Sequence, residues 1–219
     1  MCYTTNVVYY MANASMELSV HMIYPGPEHW KALVLFIGYL KGKDTKGITI
    51  RNTKVLKAVM FCDSSYATDK DVRKTVSDLV TTLGGTLLTC SSKNQRTVTL
   101  SSMEAELVVL SACAQALKFL SMLLVEMTEV KKPSVIYEDN QGAIFLAEIR
   151  QVGTCTKHID VCHNFLRDMV KEKDIDIQYI WSEDNPADIM TKNTSEANFA
   201  RHMKRVQRGR TLGTRGYWK

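Results

Sequence analysis

A long helix without any break is the feature that most constrains how this chain can fold. Neither Gly nor Pro occurs between Ser101 and Met127, and Ser101 and Glu104 have the spacing of a capping box at a helix start. At about 100° per residue, Glu106 shares one stripe of the helix with a set of apolar side chains: Leu110, Cys113, Leu117, Leu120 and Leu124. The sequence therefore predicts a helix that packs by this stripe against a hydrophobic core.

Glu106 is an acid on the apolar side of that helix, whereas Glu104 points the other way and is expected to be a cap and surface residue. An ionised carboxylate is costly to bury unless a cation or a hydrogen-bond donor meets it. Two interpretations of Glu106 are open at this point. It belongs to a functional site, or it lies at the edge of the stripe and reaches water.

Composition places the chain among ordinary globular proteins. It has 219 residues, of which 45% are apolar, enough for one medium domain with an attachment. The longest uncharged apolar run, residues 32–40, is too short to cross a bilayer, and the N-terminus lacks the features of a signal peptide. The six cysteines are scattered without a C-x-x-C pair. These observations favour an intracellular protein, in the cytoplasm or the nucleus, with reduced thiols and no membrane partner.

The positive charge of the chain is concentrated at one end. The net charge is +5, and residues 192–219 carry eight Lys or Arg against one Glu, which leaves the remainder slightly acidic. The basic tail, residues 207–219, is either a phosphate-contacting segment or a solvated chain end. The body of the protein shows no strong electrostatic footprint for nucleic acid.

The first 54 residues predict a small helical segment, too short to be a domain by itself. Helices are expected over residues 6–21 and 28–41, separated by a break at Pro25-Gly-Pro27. A short strand is expected at residues 48–50. The second helix has a predicted apolar face formed by Trp30, Leu33, Val34, Ile37 and Leu40.

A different pattern begins at residue 55 and predicts an α/β domain. Strands are expected at residues 55–62, 76–83, 86–91, 97–100, 134–137 and 175–181. Besides the long helix, helices are expected at residues 140–149 and 159–171 and from Pro186 onward. Antiparallel strands come first and later strands join through helices, so the prediction is a mixed sheet with helices on its faces.

Four acids occupy positions where α/β folds build sites. Asp63 and Asp139 end strands, Glu106 is on the inner face of the long helix, and Asp188 falls in the first turn of a late helix. Taken singly, they are explained as caps and turn residues. Taken together at one sheet edge, they would form an oxygen-rich pocket suited to Mg²⁺.

Several strings of the sequence resemble the ribonuclease H region of copia-type (pseudovirus-type) LTR retrotransposon Pol polyproteins. The strings are Asp63-Ser-Ser-Tyr-Ala67, Asp71-Val-Arg-Lys-Thr75, Ser91-Ser-Lys-Asn-Gln95, residues 97–106, Glu138-Asp-Asn-Gln-Gly-Ala-Ile144, Thr156-Lys-His-Ile-Asp160 and residues 185–192. Residues 25–30 and 39–42 resemble the stretch that joins reverse transcriptase to ribonuclease H in the same polyproteins. The resemblance implies three parts: residues 1–54 from the end of the reverse transcriptase region, a ribonuclease H-like domain at 55–206 with a five-stranded sheet, and the tail.

The resemblance also implies a function and a catalytic set. The family cleaves the RNA strand of RNA–DNA hybrids. The expected cofactor is a pair of Mg²⁺ ions, for which Mn²⁺ can substitute. The expected partners are a hybrid and the reverse transcriptase domains of a parent element. The set falls on Asp63, Glu106, Asp139 and Asp188. Asp63 would bridge both ions, with Asp188 on the attacking-water side and the other two on the leaving-group side. No polymerase activity is expected.

Secondary site residues and departures from the family pattern complete the expectations. Asn140 and Gln141 either contact the hybrid or cap their helix, and His158 is either a substrate contact or a local hydrogen-bonding residue. Trp181 is expected in the core rather than as a stacking platform.

Asp78 stands where the family usually has Gly, and it weakens the second strand's hairpin if it faces inward. Such departures leave an alternative: a catalytically inactive remnant that at most binds nucleic acid or a protein.

Overall fold

Five strands and seven helices make up the part of the chain that the computed structural model describes, which is residues 11–42, 50, 56–66, 74–128, 133–148, 157–191 and 195–207. The strands are β1 (Ala58–Ser65), β2 (Val76–Leu83), β3 (Thr86–Asn94), β4 (Ser134–Glu138) and β5 (Ile175–Tyr179). The helices are α1 (Ala12–Val20), α2 (Pro27–Lys41), α3 (Ser102–Thr128), α4 (Gln141–Glu148), α5 (Lys157–Lys171), α6 (Asp188–Thr191) and α7 (Glu196–Gln207), with a 3₁₀ turn at Ser182–Asp184.

The strands form one mixed sheet in the order β3-β2-β1-β4-β5. β1, β2 and β3 are antiparallel neighbours, while β4 lies parallel to both β1 and β5. Gly84 and Gly85 turn β2 into β3 with φ angles of 57° and 80°, which only glycine adopts without strain. The predicted five-stranded sheet, with three antiparallel strands followed by two joined through helices, is confirmed.

One face of the sheet packs against α3, α4 and α5. Alternate residues of β1, among them Met60 and Cys62, meet the predicted stripe of α3, in which Leu110, Cys113 and Leu117 are completely buried. The cysteines of the described residues, Cys62, Cys90, Cys113 and Cys162, are buried and form no disulfide. The stripe read from the sequence is therefore the main contact between helix and sheet.

The opposite face of the sheet is covered by the N-terminal helices together with α6. Phe61 and Tyr137 stack on this face with ring centroids 5.2 Å apart. The same hydrophobic cluster includes Ala12 from α1, Phe36 from α2 and Met190 from α6. The first helices of the chain therefore share a core with the sheet.

We expect Phe36→Ala to lower the free energy of unfolding by about 3 kcal/mol, because Phe36 is only 7% exposed in this cluster. Leu35→Ala is the matched control: Leu35 is 74% exposed on the same helix, and its loss is expected to cost less than about 0.5 kcal/mol. Urea unfolding of both variants measures the difference. Equal stabilities would show that α2 does not contribute to the core.

Two predictions of local structure were wrong. Trp30, Val34 and Ile37 of the predicted apolar face are more than half exposed, because α2 packs through Phe36 and its neighbours instead. Residues 97–100 are not a strand: β3 continues to Asn94, and the following residues lead into α3. The predicted strand at 48–50 and most of the basic tail lie outside the described residues.

Among the described helices, α3 is the one that is long and apolar enough to cross a membrane, with a mean hydropathy of 2.0 over its most apolar stretch. Length and composition alone do not separate such a span from a core helix. Its N-terminal half is in the core, whereas Phe119, Met122 and Met127 in its C-terminal half are exposed.

Candidate metal centre

Asp63 lies within β1, two residues before the strand ends at Ser65, and is almost fully buried, at 2% exposure. Its cross-strand neighbour on β2 is Asp78, which is also buried, so a second acid faces the first across the ladder. The β2–β3 ladder forms in spite of this acid. The carbonyl of Cys62, next to Asp63, accepts a hydrogen bond of 2.7 Å from the side-chain amide of Asn185.

Three of the predicted acids come together at this edge. Asp63, Asp139 and Asp188 each present a carboxylate oxygen, and these oxygens lie within 4.8 Å of one another. Asp139 follows β4 and accepts a hydrogen bond from the hydroxyl of Ser182, while Asp188 begins α6. Because β1 and β4 are parallel neighbours, their carboxyl ends meet at the same edge, as the sequence predicted.

The fourth predicted acid, Glu106, belongs to a second group with Glu138 and Asp139, whose carboxylate oxygens also lie within 4.8 Å of one another. Asp139 is thus common to both groups. The bridging position that the resemblance assigned to Asp63 stays a prediction, and the Asp63 carboxylate also lies close enough to Glu106 to raise its pKa.

Glu106 is buried, at 6% exposure, rather than reaching water. Burial, with smaller increases from the nearby carboxylates of Asp63 and Asp139, raises its pKa to about 8, although hydrogen bonds from Ser64 partly oppose the rise. Its Oε2 atom has no hydrogen-bond partner. The interpretation in which Glu106 lies at the edge of the stripe and reaches water is therefore wrong, and its role in a functional site stays a prediction.

Hydrogen bonds at the start of α3 fix the position of Glu106. The hydroxyl of Ser101 accepts the Glu104 amide proton at 3.1 Å, while the Glu104 carboxylate accepts from the Leu100 amide at 2.8 Å. The predicted capping box therefore forms with its return bond one residue earlier than expected. The buried side chain of Gln95 adds a bond from its Nε2 to the Ala105 carbonyl at 3.0 Å.

Glu138 is a site residue that sequence reasoning missed. It is fully buried, and burial raises its pKa well above the usual value, with further increases from Cys62 and Glu106. Strand alternation predicts that the Glu138 side chain points away from the side on which Asp139 lies. For this reason an argument based on the strand end alone did not include it. Its position as an acid directly beside Asp139 was the available sign.

The two carboxylate groups fit divalent metal ions. Their donors are all hard oxygen atoms, the set that Mg²⁺ prefers and Mn²⁺ accepts. An unpartnered buried oxygen on Glu106 beside other carboxylates is a costly arrangement that a bound cation would relieve. The acids are therefore chemically able to hold metal, one group on each side of Asp139.

The structure describes local contacts of Asn140 and Trp181, and contact of Asn140, Gln141 or His158 with a hybrid stays a prediction. Asn140 caps α4, with its Oδ1 accepting the Ala143 amide proton at 3.1 Å, and Gln141 is exposed in the first turn. The side chain of His158 lies outside the described part. Trp181 is 49% exposed and meets Tyr179 edge-on, so the expectation of a core position was wrong.

We expect Asn185→Ala to destabilise the fold by about 2 kcal/mol, because the buried Asn185 side chain bonds both Cys62 and the Ala187 amide. Since these bonds connect β1 to the turn that leads into Asp188, any metal-dependent activity should also fall by about tenfold. Asn198→Ala, at an exposed position, is the control. Thermal unfolding and a metal titration test the effect, and a variant indistinguishable from Asn198→Ala would contradict it.

Comparison with known proteins agrees with the motifs. No protein-family model matches the chain. A retrovirus-related Pol polyprotein of the tobacco (Nicotiana tabacum) transposon TNT 1-94 is 32% identical over 183 residues, which cover 83% of this chain. The Pol polyprotein of transposon RE2 of Arabidopsis thaliana is 29% identical over 197 residues, or 90% of the chain. In both cases the chain spans only 14% of the relative's length.

A much shorter relative is also similar. The secreted RxLR effector protein 161 of Plasmopara viticola is 35% identical over 112 residues, which cover 51% of this chain and 79% of that protein. Among solved structures, the ribonuclease H1 LC11 isolated from compost is 15% identical, with a TM-score of 0.49 and coverage of 62% of this chain and 93% of that one.

The strand order and directions of the sheet are those that the resemblance implied, so the chain has a ribonuclease H-like α/β fold. The relatives with the longest matched segments are Pol polyproteins, which confirms the family indicated by the motifs. The chain is therefore identified as a relative of the Pol polyproteins of copia-type retrotransposons, matched along one segment of those proteins.

Proposed function

We propose that this chain is a metal-dependent endonuclease that cleaves the RNA strand of RNA–DNA hybrids. The observation that carries the proposal is the pair of carboxylate groups that share Asp139 at the carboxyl edge of the sheet. Bound divalent ions would supply an activated water and stabilise a leaving oxygen. The family relationship supports this chemistry over other uses of an acidic site.

Each acid has a place in this proposal. Asp63, Asp139 and Asp188 would hold the ion on the attacking-water side, and Glu106 with Asp139 would hold the ion on the leaving-group side. Ser182 holds Asp139 through its hydroxyl, which fixes the orientation of the shared carboxylate.

The hybrid is proposed to cross this edge of the sheet. Trp181 is half exposed and directly precedes Ser182, so its ring is available to nucleotides near the acids. Asn140 and Gln141 begin α4 beside Asp139 and could meet the backbone of the hybrid. Specificity for RNA would come from 2′-hydroxyl groups, which distinguish RNA from DNA. In a parent element, reverse transcriptase domains would act on the same hybrid within the cell.

Cleavage of an end-labelled RNA–DNA hybrid tests the proposal. The purified chain is incubated with the hybrid in Mg²⁺, in Mn²⁺ and in chelator, beside duplex DNA and duplex RNA of the same sequence. The expected result is metal-dependent cutting of the RNA strand of the hybrid alone. A folded protein that leaves the hybrid intact in both metals would overturn the proposal.

A second candidate is a folded binding module without nuclease activity. The similarity to a short protein from Plasmopara viticola favours it, because the matched segment there makes up most of the protein rather than a small part of a polyprotein. Binding of the hybrid, measured by fluorescence anisotropy, separates the candidates. Binding without cleavage in either metal is the result expected for the module.

A further inference from the structure

Glu138 is a buried acid that the family's catalytic set does not include. It is fully buried at the end of β4, and strand alternation places it with Cys62 and the inner side of α3. Asp139, the next residue, is partly exposed, and its carboxylate lies near that of Asp63. The Glu138 and Asp139 side chains nevertheless bring carboxylate oxygens within 4.8 Å of each other.

The hydrogen bonds of Glu138 leave its charge uncompensated. Its Oε1 accepts the Asn140 amide proton at 3.0 Å, and its Oε2 accepts from the Cys62 thiol at 3.1 Å. Both donors are neutral groups, and each carboxylate oxygen retains a second lone pair. A cation would therefore still find acceptor capacity on this side chain.

The side chains around Glu138 point to that cation. Oxygens of Glu106, Glu138 and Asp139 lie within 4.8 Å of one another. Independently of this cluster, Oε2 of Glu106 is buried on a side chain only 6% exposed and has no hydrogen-bond partner. Three close carboxylates repel one another, and an unpaired buried oxygen adds a desolvation cost, so a divalent ion would relieve both.

We propose that Glu138 is a fifth metal-binding carboxylate, which holds one divalent cation together with Glu106 and Asp139. This inference rests on the proposed function, since it names a ligand of the same metal centre. It assigns one cation to a subsite built from three carboxylates, which shares Asp139 with the group that contains Asp63 and Asp188. The preferred ions are Mg²⁺ and Mn²⁺, which favour hard oxygen ligands.

Mn²⁺ binding by the metal-free protein tests the inference without reference to activity. Isothermal titration and electron paramagnetic resonance of free Mn²⁺ are applied to the parent and to Glu138→Gln. The amide is isosteric and still accepts from Asn140, so the fold should persist, with a thermal midpoint in chelator no lower than that of the parent. The affinity of one Mn²⁺ site is expected to fall at least about tenfold.

Two further variants separate loss of a ligand from disturbed packing. Glu126→Gln removes an exposed acid from the far end of α3 and should leave Mn²⁺ binding unchanged. Cys62→Ala alters the packing around Glu138 but keeps every carboxylate, so its effect on Mn²⁺ affinity should be much smaller than that of Glu138→Gln. Equal losses in Cys62→Ala and Glu138→Gln would overturn the inference.

The inference and the proposed function fail in different ways. Glu138→Gln that binds Mn²⁺ within twofold of the parent would overturn the role of Glu138, while metal-dependent cleavage by the parent would still support the nuclease. A folded parent that binds no Mn²⁺ at all would overturn both.

Discussion

Asp139→Asn is expected to abolish cleavage of RNA–DNA hybrids while leaving the fold intact. Asp139 is the only carboxylate that belongs to both groups of the described part, so its loss removes a ligand on each side of the centre at once. Removal of a residue that acts as part of a catalytic unit costs roughly three orders of magnitude or more in rate. The amide has the same shape and can still accept the hydrogen bond from Ser182, so stability should not fall. Single-turnover cleavage and circular dichroism measure the two effects.

Asp168→Asn is the matched control for that substitution. Asp168 is a solvent-exposed acid on α5 that makes a loose ion-pair contact of 3.5 Å with Arg167. Its variant should cleave at the rate of the parent. An Asp139→Asn protein that cuts as fast as Asp168→Asn would show that the metal centre has been assigned to the wrong residues.

The second large effect concerns pH and metal together. In chelator, the stability of the protein should fall as pH rises from about 5 to 8. Glu106 has a pKa raised from 4.5 to about 8 in the folded state, so the folded protein holds its proton after the unfolded chain has released one. Its stabilising contribution is present below pH 4.5 and is lost as pH rises through about 8. The loss is on the order of 4 kcal/mol for this shift.

Urea midpoints at pH 5.5, 6.5 and 8 measure this dependence. Saturating Mg²⁺ or Mn²⁺ should restore stability at pH 8, because a ligand that binds only the folded state stabilises it. Glu106→Gln should reduce the dependence in chelator, because the amide does not titrate, while the buried Glu138 carboxyl, whose pKa is also raised, keeps part of it. A parent protein whose midpoint in chelator is the same at all three pH values would contradict the burial of an acid at this position.

Local sequence patterns were sufficient for much of the fold. The apolar stripe of α3 and its capping Ser101 depend on contacts within four residues, where helical geometry leaves little choice. The hairpin at Gly84-Gly85 depends on turn chemistry that only glycine supplies cheaply. The same helical spacing placed Glu106 on the apolar stripe but left open whether it reaches water, and only the structure shows that it is buried.

Sequence patterns gave wrong predictions where more than one surface of the chain was able to pack against the core. The apolar residues of α2 allow more than one face, and contact with the sheet selected Phe36 while leaving Trp30 exposed. Residues 97–100 have strand-like composition, but the bond from the Leu100 amide to Glu104 makes them the entry to α3. Trp181 completes an alternating pattern, yet β5 ends before it.

The sequence by itself determined which acids stand at strand ends and on the inner face of α3, because the periods of strands and helices are properties of the local backbone. Only the tertiary structure decided that these acids form two groups, that Asp139 is common to both, and that Glu138 joins Glu106. Those distances depend on strand order and on contacts between residues far apart in the chain, such as that of Asn185 with Cys62. Such contacts are set by the packing of helices and sheet, which no local period encodes.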